Sequence, residues 1–433
     1  MRVLAALSGG VDSAVAAAKA VEAGHDVVGV HMALSTSPQE CRIGSRGCCS
    51  VEDAGDAARA AEHLGIPFYV WDLAEQFEET VIEDFVEQYK AGATPNPCVR
   101  CNEFVKFREL AQRARALGFD AVCTGHYAQL IDSKDGPQLH RAVDELKDQS
   151  YVLAVMGQEE LSRVLLPLGG APSKEWVRGE AERLGLGVSS KPDSYDICFI
   201  PDGDTQGFLR ARLGVLAGEI VTADGDVVGS HDGYWNFTVG QRRGLHLGNP
   251  AADGRPRYVL QTLPQTNQVV VGAAELLSIT RIECDEVVWL AADDVANVDD
   301  EATAAFGDTL ADRRLADVPP QVLTAQVRAH GTPAVVTAVD TTGVLPSVPV
   351  SMMPVAVPGL SVEGACDDGG DGIGAPQGAL REEQATLTVT LAAPLRGVAA
   401  GQTLVLYRGT RVIASATIRR TSRADSLSAG GNR

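Results

Sequence analysis

The sequence predicts an α/β protein: an N-terminal parallel sheet with helices on both faces, then a small central domain, then a C-terminal β-barrel. Three observations carry this. Short apolar runs alternate with helical stretches through the first third of the chain, the pattern of a covered parallel sheet. After about residue 205 the chain turns to short β-rich pieces with Asp-Gly turns, as in "GEIVTADGDVVGSHDGYWNFTVGQRRGL". From about 281 onward, runs such as "RIECDEVVWLA", "TAQVRAH", "ATLTVTL" and "TLVLYRGTRVIASATI" alternate in strand fashion. The expected domains are 1–205, 206–278 and 279–433.

"RVLAAL" reads as a buried strand, and Asp12 to Ala23 as an alanine-rich helix stopped by Gly24. "DVVGVHMA" (26–33) is a second strand and Glu52 to Leu64 a helix with apolar positions three and four apart. "PFYVWDL" (67–73) is a third strand, followed by helices over Ala74–Tyr89 and, starting just after Cys101, to Leu117. "DAVCTGHYA" (120–128) is a strand running into a loop. Residues 331–384, rich in Gly, Pro, Val and Asp, show no period and read as a loop insertion in the barrel domain.

With 433 residues and 45% hydrophobic content, the chain can build two or three cores. It shows neither an apolar run long enough to span a bilayer nor a signal-peptide pattern, so a cytoplasmic location with no membrane partner is expected; the chain is also expected to be a monomer. The net charge of -20 weighs against nucleic acid in bulk. Local basic patches run the other way: Arg242, Arg243, Arg255 and Arg257, and then Arg408, Arg411, Arg419, Arg420 and Arg423.

The junction "LSGGVDS" (7–13) lies between the first strand and helix. Glycines there let the backbone close on phosphate oxygens, helix-start N–H groups point at them, and Ser8 and Ser13 add hydroxyls. Asp12 suits a magnesium ion or a helix cap. The lysine of GxxxxGK[ST] is absent, and GxGxxG does not match. The string resembles the pyrophosphatase loop of the adenine-nucleotide α-hydrolase-like ATPases, which hold the pyrophosphate of ATP while AMP goes to the substrate.

The nine cysteines are Cys41, Cys48, Cys49, Cys98, Cys101, Cys123, Cys198, Cys284 and Cys366. They are too uneven for a disulfide scaffold. "TPNPCVRCNEFVKF" (94–107) and "KPDSYDICFI" (191–200) hold the three that stand out. A helix start directly after Cys101, with Arg100 and Lys106 nearby, favours the thiolate. Cys98, Cys101 and Cys198 could be half a zinc site, a three-thiolate iron–sulfur site, a redox pair that passes sulfur, or buried structural thiols.

Together, "LSGGVDS", "GVHM", "GCCSVEDAGDA", "TPNPCVRCNEFVKF", "TGHYA", "KDQSYVL", "KPDSYDICFI" and "TVGQRRGL" resemble, in order and spacing, the bacterial tRNA-specific 2-thiouridylases. The resemblance implies ATP-dependent 2-thiolation of the wobble uridine, U34, by adenylation of the C2 oxygen and sulfur transfer from a cysteine persulfide. It implies ATP with Mg²⁺ at Ala6, Leu7, Ser8, Gly9, Gly10, Val11, Asp12 and Ser13, with Met32 and Gly125 in the adenosine pocket. Cys198 would carry the persulfide, and Cys101 would release its sulfur or close a disulfide with it. Asn96, Pro97 and Cys98 would contact the target base, and Lys147, Asp148 and Gln149 the tRNA. The implied partners are the Lys, Glu and Gln isoacceptors and a cysteine desulfurase or sulfur-relay protein. Cys98 stands where some members of the family carry Asp, which leaves a [4Fe-4S] cluster on Cys98, Cys101 and Cys198 open. His126 suits proton transfer or packing, and Cys48 and Cys49 a structural role. The competing reading is another adenylating enzyme with this loop, an amidotransferase or ligase using ammonia.

Overall fold

The computed structural model describes residues 1–34, 51–192, 197–200, 202–247, 254–291, 298, 300–307, 310, 315–342 and 385–423. The first strands and helices are β1 (Arg2–Ala6), α1 (Val11–Glu22), β2 (Asp26–Ala33), α2 (Val51–Leu64) and β3 (Phe68–Asp72). A long broken helix follows as α3 (Ala74–Phe77), a π segment (Glu78–Ile82) and α4 (Glu83–Lys90). A second one is α5 (Pro97–Arg100), a π segment (Cys101–Glu109) and α6 (Leu110–Ala116). Then come β4 (Ala121–Cys123), β5 (Ala128–Ser133), β6 (Gly136–Arg141), α7 (Ser150–Leu153), α8 (Gln158–Leu161), β7 (Val164–Leu165), α9 (Lys174–Arg183) and α10 (Thr205–Leu213).

β3, β2, β1, β4 and β7 lie in that order in one sheet, and every pairing is parallel. The chain winds from β1 outward to β3 and returns on the other side at β4, so β1 and β4 flank the switch point where such sheets bind ligands. Alanine makes this possible at close quarters. Ala14, Ala16, Ala17, Ala18 and Ala20 of α1 are all buried, in one core with Val177 and Ala181 of α9. The Cys123 thiol is buried there too, and burial pushes it up to about 12, marking it as packing rather than chemistry.

Four strands form the next sheet: β8 (Gly218–Thr222), β9 (Val227–His231), β10 (Tyr258–Leu263) and β11 (Gln268–Gly272), ordered β10, β11, β8, β9. Gly225, at φ 93°, makes the expected Asp-Gly turn between β8 and β9. Ile220, Val259 and Val271 pack with Trp235 and Phe237, and also with Phe85 and Tyr89 of α4.

β12 (Ser278–Trp289), β13 (Leu323–Gln326), β14 (Ala334–Thr342), β15 (Thr386–Arg396), β16 (Thr403–Arg408) and β17 (Arg411–Ser422) make the last sheet. Its order is β12, β15, β14, β13, β16, β17, and β17 pairs back with β12, closing a six-stranded barrel. Ile282, Leu323, Val336, Val389, Leu406 and Ile413 fill the interior. The expected insertion at 331–384 needs correcting at its start: Ala334–Thr342 is a barrel strand whose alternation the surrounding Gly and Pro obscured. Residues 343–384 lie outside the described residues, as do Cys41, Cys48, Cys49 and Cys366.

One pairing crosses the sequence in a way no local pattern foretold. β5 and β6 form a hairpin just after the expected 120–128 segment, and β6 adds to β17 of the barrel, with His140 opposite Arg411. Arg141 and Asp148, both buried, form an ion pair at 3.0 Å beneath it, and the Arg141 guanidinium stacks 3.5 Å from the Tyr407 ring centroid.

Candidate active site

The loop after β1 is drawn tight by its own side chains. Ser8 N donates to Ser13 Oγ at 3.1 Å, and Ser13 Oγ donates to Gly10 O at 3.0 Å. Leu7 is buried, its carbonyl accepting from Nδ1 of buried His31 at 2.8 Å. Gly10 caps α1 without a side chain and so offers no side-chain acceptor to the first N–H groups of the helix. This is a helix start prepared for an anion.

Two glycines are required by space. Gly9 has φ 80°, and a Cβ there would fall 2.2 Å from the carbonyl oxygen of Asp53 in α2. A Cβ on Gly125 would fall 2.7 Å from the Ser13 nitrogen. The Thr124–Tyr127 loop after β4 is therefore pressed against the start of α1 at the switch point. Within it, Thr124 Oγ1 lies 2.9 Å from His126 Nδ1, and burial together with Lys106 holds His126 well below its ordinary value, so it is neutral.

The loop has no lysine of its own, but two lysines that sequence reasoning missed reach it from afar. Lys174, at the start of α9, places Nζ 2.8 and 2.7 Å from the two Asp12 carboxylate oxygens, and Tyr127 Oη donates to Asp12 at 2.6 Å. Lys191 donates to Gly9 O at 3.0 Å and to Asp53 and Asp56 at 2.6 Å each. Burial opposes the Lys191 charge, but its two carboxylate partners outweigh this and raise it. Neither lysine lies within 160 residues of the loop in sequence, the loop contacts spanning 162 and 182 residues. No local motif could have revealed them.

The thiols gather at the neighbouring strand ends. Cys101 is buried in a cluster with Leu34, Leu73 and Phe77, against which Met32 and Cys198 pack. Met32 also packs in the cluster that holds Leu4 and Ala6 of β1, and so joins the thiols to the strand leading into the loop. Cys101 is buried, Cys198 half-buried and Cys98 exposed. The helix does not begin after Cys101, as expected, but at Pro97. Asn96 caps it, accepting from Cys98 N at 3.1 Å and Val99 N at 3.4 Å, and Pro97 suits the first helical position. Cys98, not Cys101, therefore occupies the first turn, and Cys101 starts the π segment, a helical form frequent at functional sites.

Among the described residues no group of three His, Cys, Asp or Glu side chains is placed to share a metal ion. Asp148 is buried and bound to Arg141, Ala142 N and Ser150, whereas Gln149 is exposed. The Asp148 carboxylate thus fixes the 147–149 turn, and Gln149 Oε1 accepts from Tyr127 N at 2.9 Å, tying that turn to the loop after β4. Among the described residues no helix is long and apolar enough to cross a membrane.

Comparison with known proteins follows the same layout. Residues 1–202 match the model described as tRNA methyl transferase HUP domain, 206–273 the tRNA methyl transferase PRC-barrel domain, and 377–418 the aminomethyltransferase beta-barrel domain. A tRNA-specific 2-thiouridylase of Beutenbergia cavernae is 53% identical over 98% of this chain and 96% of its own. One of Streptomyces avermitilis is 51% identical over 98% and 96%. A solved 4-thiouridine synthetase–RNA complex with bound ATP is 20% identical, covers 46% of this chain and 45% of its own, and has a TM-score of 0.30. With more than half of its residues shared along nearly its whole length, the chain belongs to the tRNA-specific 2-thiouridylase family.

Proposed function

We propose that the protein thiolates C2 of the wobble uridine of tRNA in an ATP-dependent reaction, with residues 1–205 as catalytic domain and 206–278 and 279–433 holding the tRNA. The observation that carries this is the placement of Cys101 and Cys198 at one apolar cluster, against which Met32 also packs, beside the strand entering an anion-binding loop. An amidotransferase or ligase using ammonia has no need of that thiol pair, and neither does transfer of a methyl group.

In the proposed sequence, Ala6–Ser13 hold the pyrophosphate of ATP, which brings its Mg²⁺, and Met32 and Gly125 bound the adenosine. Lys174 and Lys191 exchange a carboxylate partner for phosphate oxygens as the nucleotide enters. The uridine O2 attacks the α-phosphorus and pyrophosphate leaves. The outer sulfur of a Cys198 persulfide then attacks C2, and the C2–O bond breaks with loss of AMP. Cys101 thiolate attacks the Cys198 sulfur, the S–S bond to the product breaks, and 2-thiouridine departs, leaving a Cys101–Cys198 disulfide. A thiol reductant resets the pair, and a cysteine desulfurase or relay protein reloads Cys198. Asn96–Cys98 border the flipped base, whose removal from the anticodon stack costs a few kcal/mol. Lys147 and Gln149 meet the RNA from the turn that Asp148 fixes. The substrates are the Lys, Glu and Gln isoacceptors, and the protein works as a cytoplasmic monomer.

Mass spectrometry of wobble nucleosides tests this. Bulk tRNA from cells lacking the protein should lose 2-thiouridine at position 34 and regain it on complementation; unchanged thiolation in the deletion would overturn the proposal.

A further inference from the structure

A cavity of about 460 Å³ opens between the helix that starts at Pro97 and the barrel strands β12 and β17, separate from the phosphate loop. Asn96 stands on its rim, and Val99, Val155, Val288 and Ala416 give it apolar surface. Its most distinctive wall is the half-buried Phe104 ring, with the Arg108 guanidinium 4.6 Å and the Arg100 guanidinium 5.7 Å from the ring centroid. Arg100 is bound to Glu103 at 3.1 Å and Glu286 at 3.2 Å, and Arg108 lies 3.8 Å from Glu103.

The two guanidinium groups and two carboxylates that line this cavity offset one another, and Asp84, 3.5 Å from Arg100, adds a further carboxylate, so a phosphate gains little from it. A flat, neutral ring with hydrogen-bonding edges gains more. It stacks on Phe104 or on the Arg108 plane and meets the carboxylates and the amides of Asn96 and Gln88 at its rim. The volume is in the range of pockets that take a small ring-bearing ligand, roughly 300 to 1,000 Å³. Phe104 lies about two helical turns from Pro97, in the helix that also carries the turn proposed to border the target base.

We propose that this cavity is a second base pocket: it takes the nucleobase next to the target uridine on the same RNA strand, stacked against Phe104 and Arg108. The assignment rests on the thiouridylase reading. It makes RNA recognition depend on two bases held apart by the Asn96–Phe104 helix, rather than on the target alone.

The test uses the full-length protein and an anticodon stem–loop RNA, intact or with an abasic site on either side of the target. Thiolation kinetics and direct binding by fluorescence anisotropy are both read. Phe104→Ala should raise KM and Kd about tenfold or more, with a smaller change in kcat. Phe104→Tyr should stay near wild type, and exposed Arg108→Met, which has no core to disturb, should weaken binding severalfold. One of the two abasic RNAs should bring wild type to the affinity of Phe104→Ala and leave that variant unchanged. Wild-type affinity in Phe104→Ala, or abasic and Phe104→Ala losses that simply multiply, would overturn the pocket. Absence of thiolation by wild type with these binding effects intact would instead reject the catalytic reading and keep the pocket.

Discussion

Lys191 shows how charge is managed around the proposed phosphate site. Its Nζ touches the Gly9 carbonyl of the loop and two carboxylates of α2. A nucleotide arriving beside Asp12, Asp53 and Asp56 needs nearby cations to offset them, and the loop carries none of its own. Charge-assisted hydrogen bonds are worth about 1.5–3 kcal/mol. Lys191→Ala should therefore raise KM for ATP roughly tenfold to a hundredfold, with Lys191→Arg recovering part of the loss. An unchanged KM for ATP in steady-state assays would remove Lys191 from the phosphate site. The loop was legible in sequence because its chemistry is contiguous: glycines, hydroxyls and a helix start within seven residues, Leu7 to Ser13. Its lysines were not, because only the fold brings α9 and residue 191 to it.

At the scale of elements, the β5–β6 hairpin joins the catalytic sheet to the barrel. His140 of β6 stands opposite Arg411 of β17, its Nδ1 2.9 Å from Thr410 Oγ1. Burial and the Arg411 charge lower its pKa from 6.5 to about 4. Between those values the unfolded chain binds a proton that folded His140 refuses. The contribution to stability is thus whole above about pH 6.5 and is lost as pH falls toward 4. Its size is on the order of 1–3 kcal/mol. Denaturant unfolding at pH 7 and at pH 4.5 should show a smaller drop for His140→Gln than for wild type; equal drops would refute the burial of this histidine at the junction. The strands of the N-terminal sheet were readable as apolar runs, and β2 spans the expected 26–33. The hairpin was not, since its partner strand lies some 270 residues away, the His140–Thr410 separation. The start of the helix at Pro97 was also misread, although Asn96-Pro97 is a cap and first-turn signature.

At the scale of the whole molecule, three sheets of different kinds follow one another along the chain, apart from the β5–β6 hairpin that joins the third, and this order was visible in the shift from apolar runs to alternating strands. Closure of the barrel by the β12–β17 pairing was not visible, because its first and last strands are more than a hundred residues apart, with residues Arg281 and Ser422 paired. The chain carries a net charge of -20 and is nevertheless proposed to bind RNA. That is consistent only if contacts are local and if part of the recognition is by bases rather than phosphates. The proposed division between a nucleotide loop that activates oxygen and a thiol pair that delivers sulfur can be separated in one reaction. Protein treated with a persulfide-loading system, wild type or Cys198→Ser, is mixed with tRNA and ATP in a single turnover, and pyrophosphate, AMP and 2-thiouridine are all quantified. Wild type should form AMP and 2-thiouridine in equal amounts, whereas Cys198→Ser should still cleave ATP to pyrophosphate in the presence of tRNA yet form no 2-thiouridine. Thiolation by Cys198→Ser at the wild-type level would contradict the assignment of sulfur delivery to Cys198.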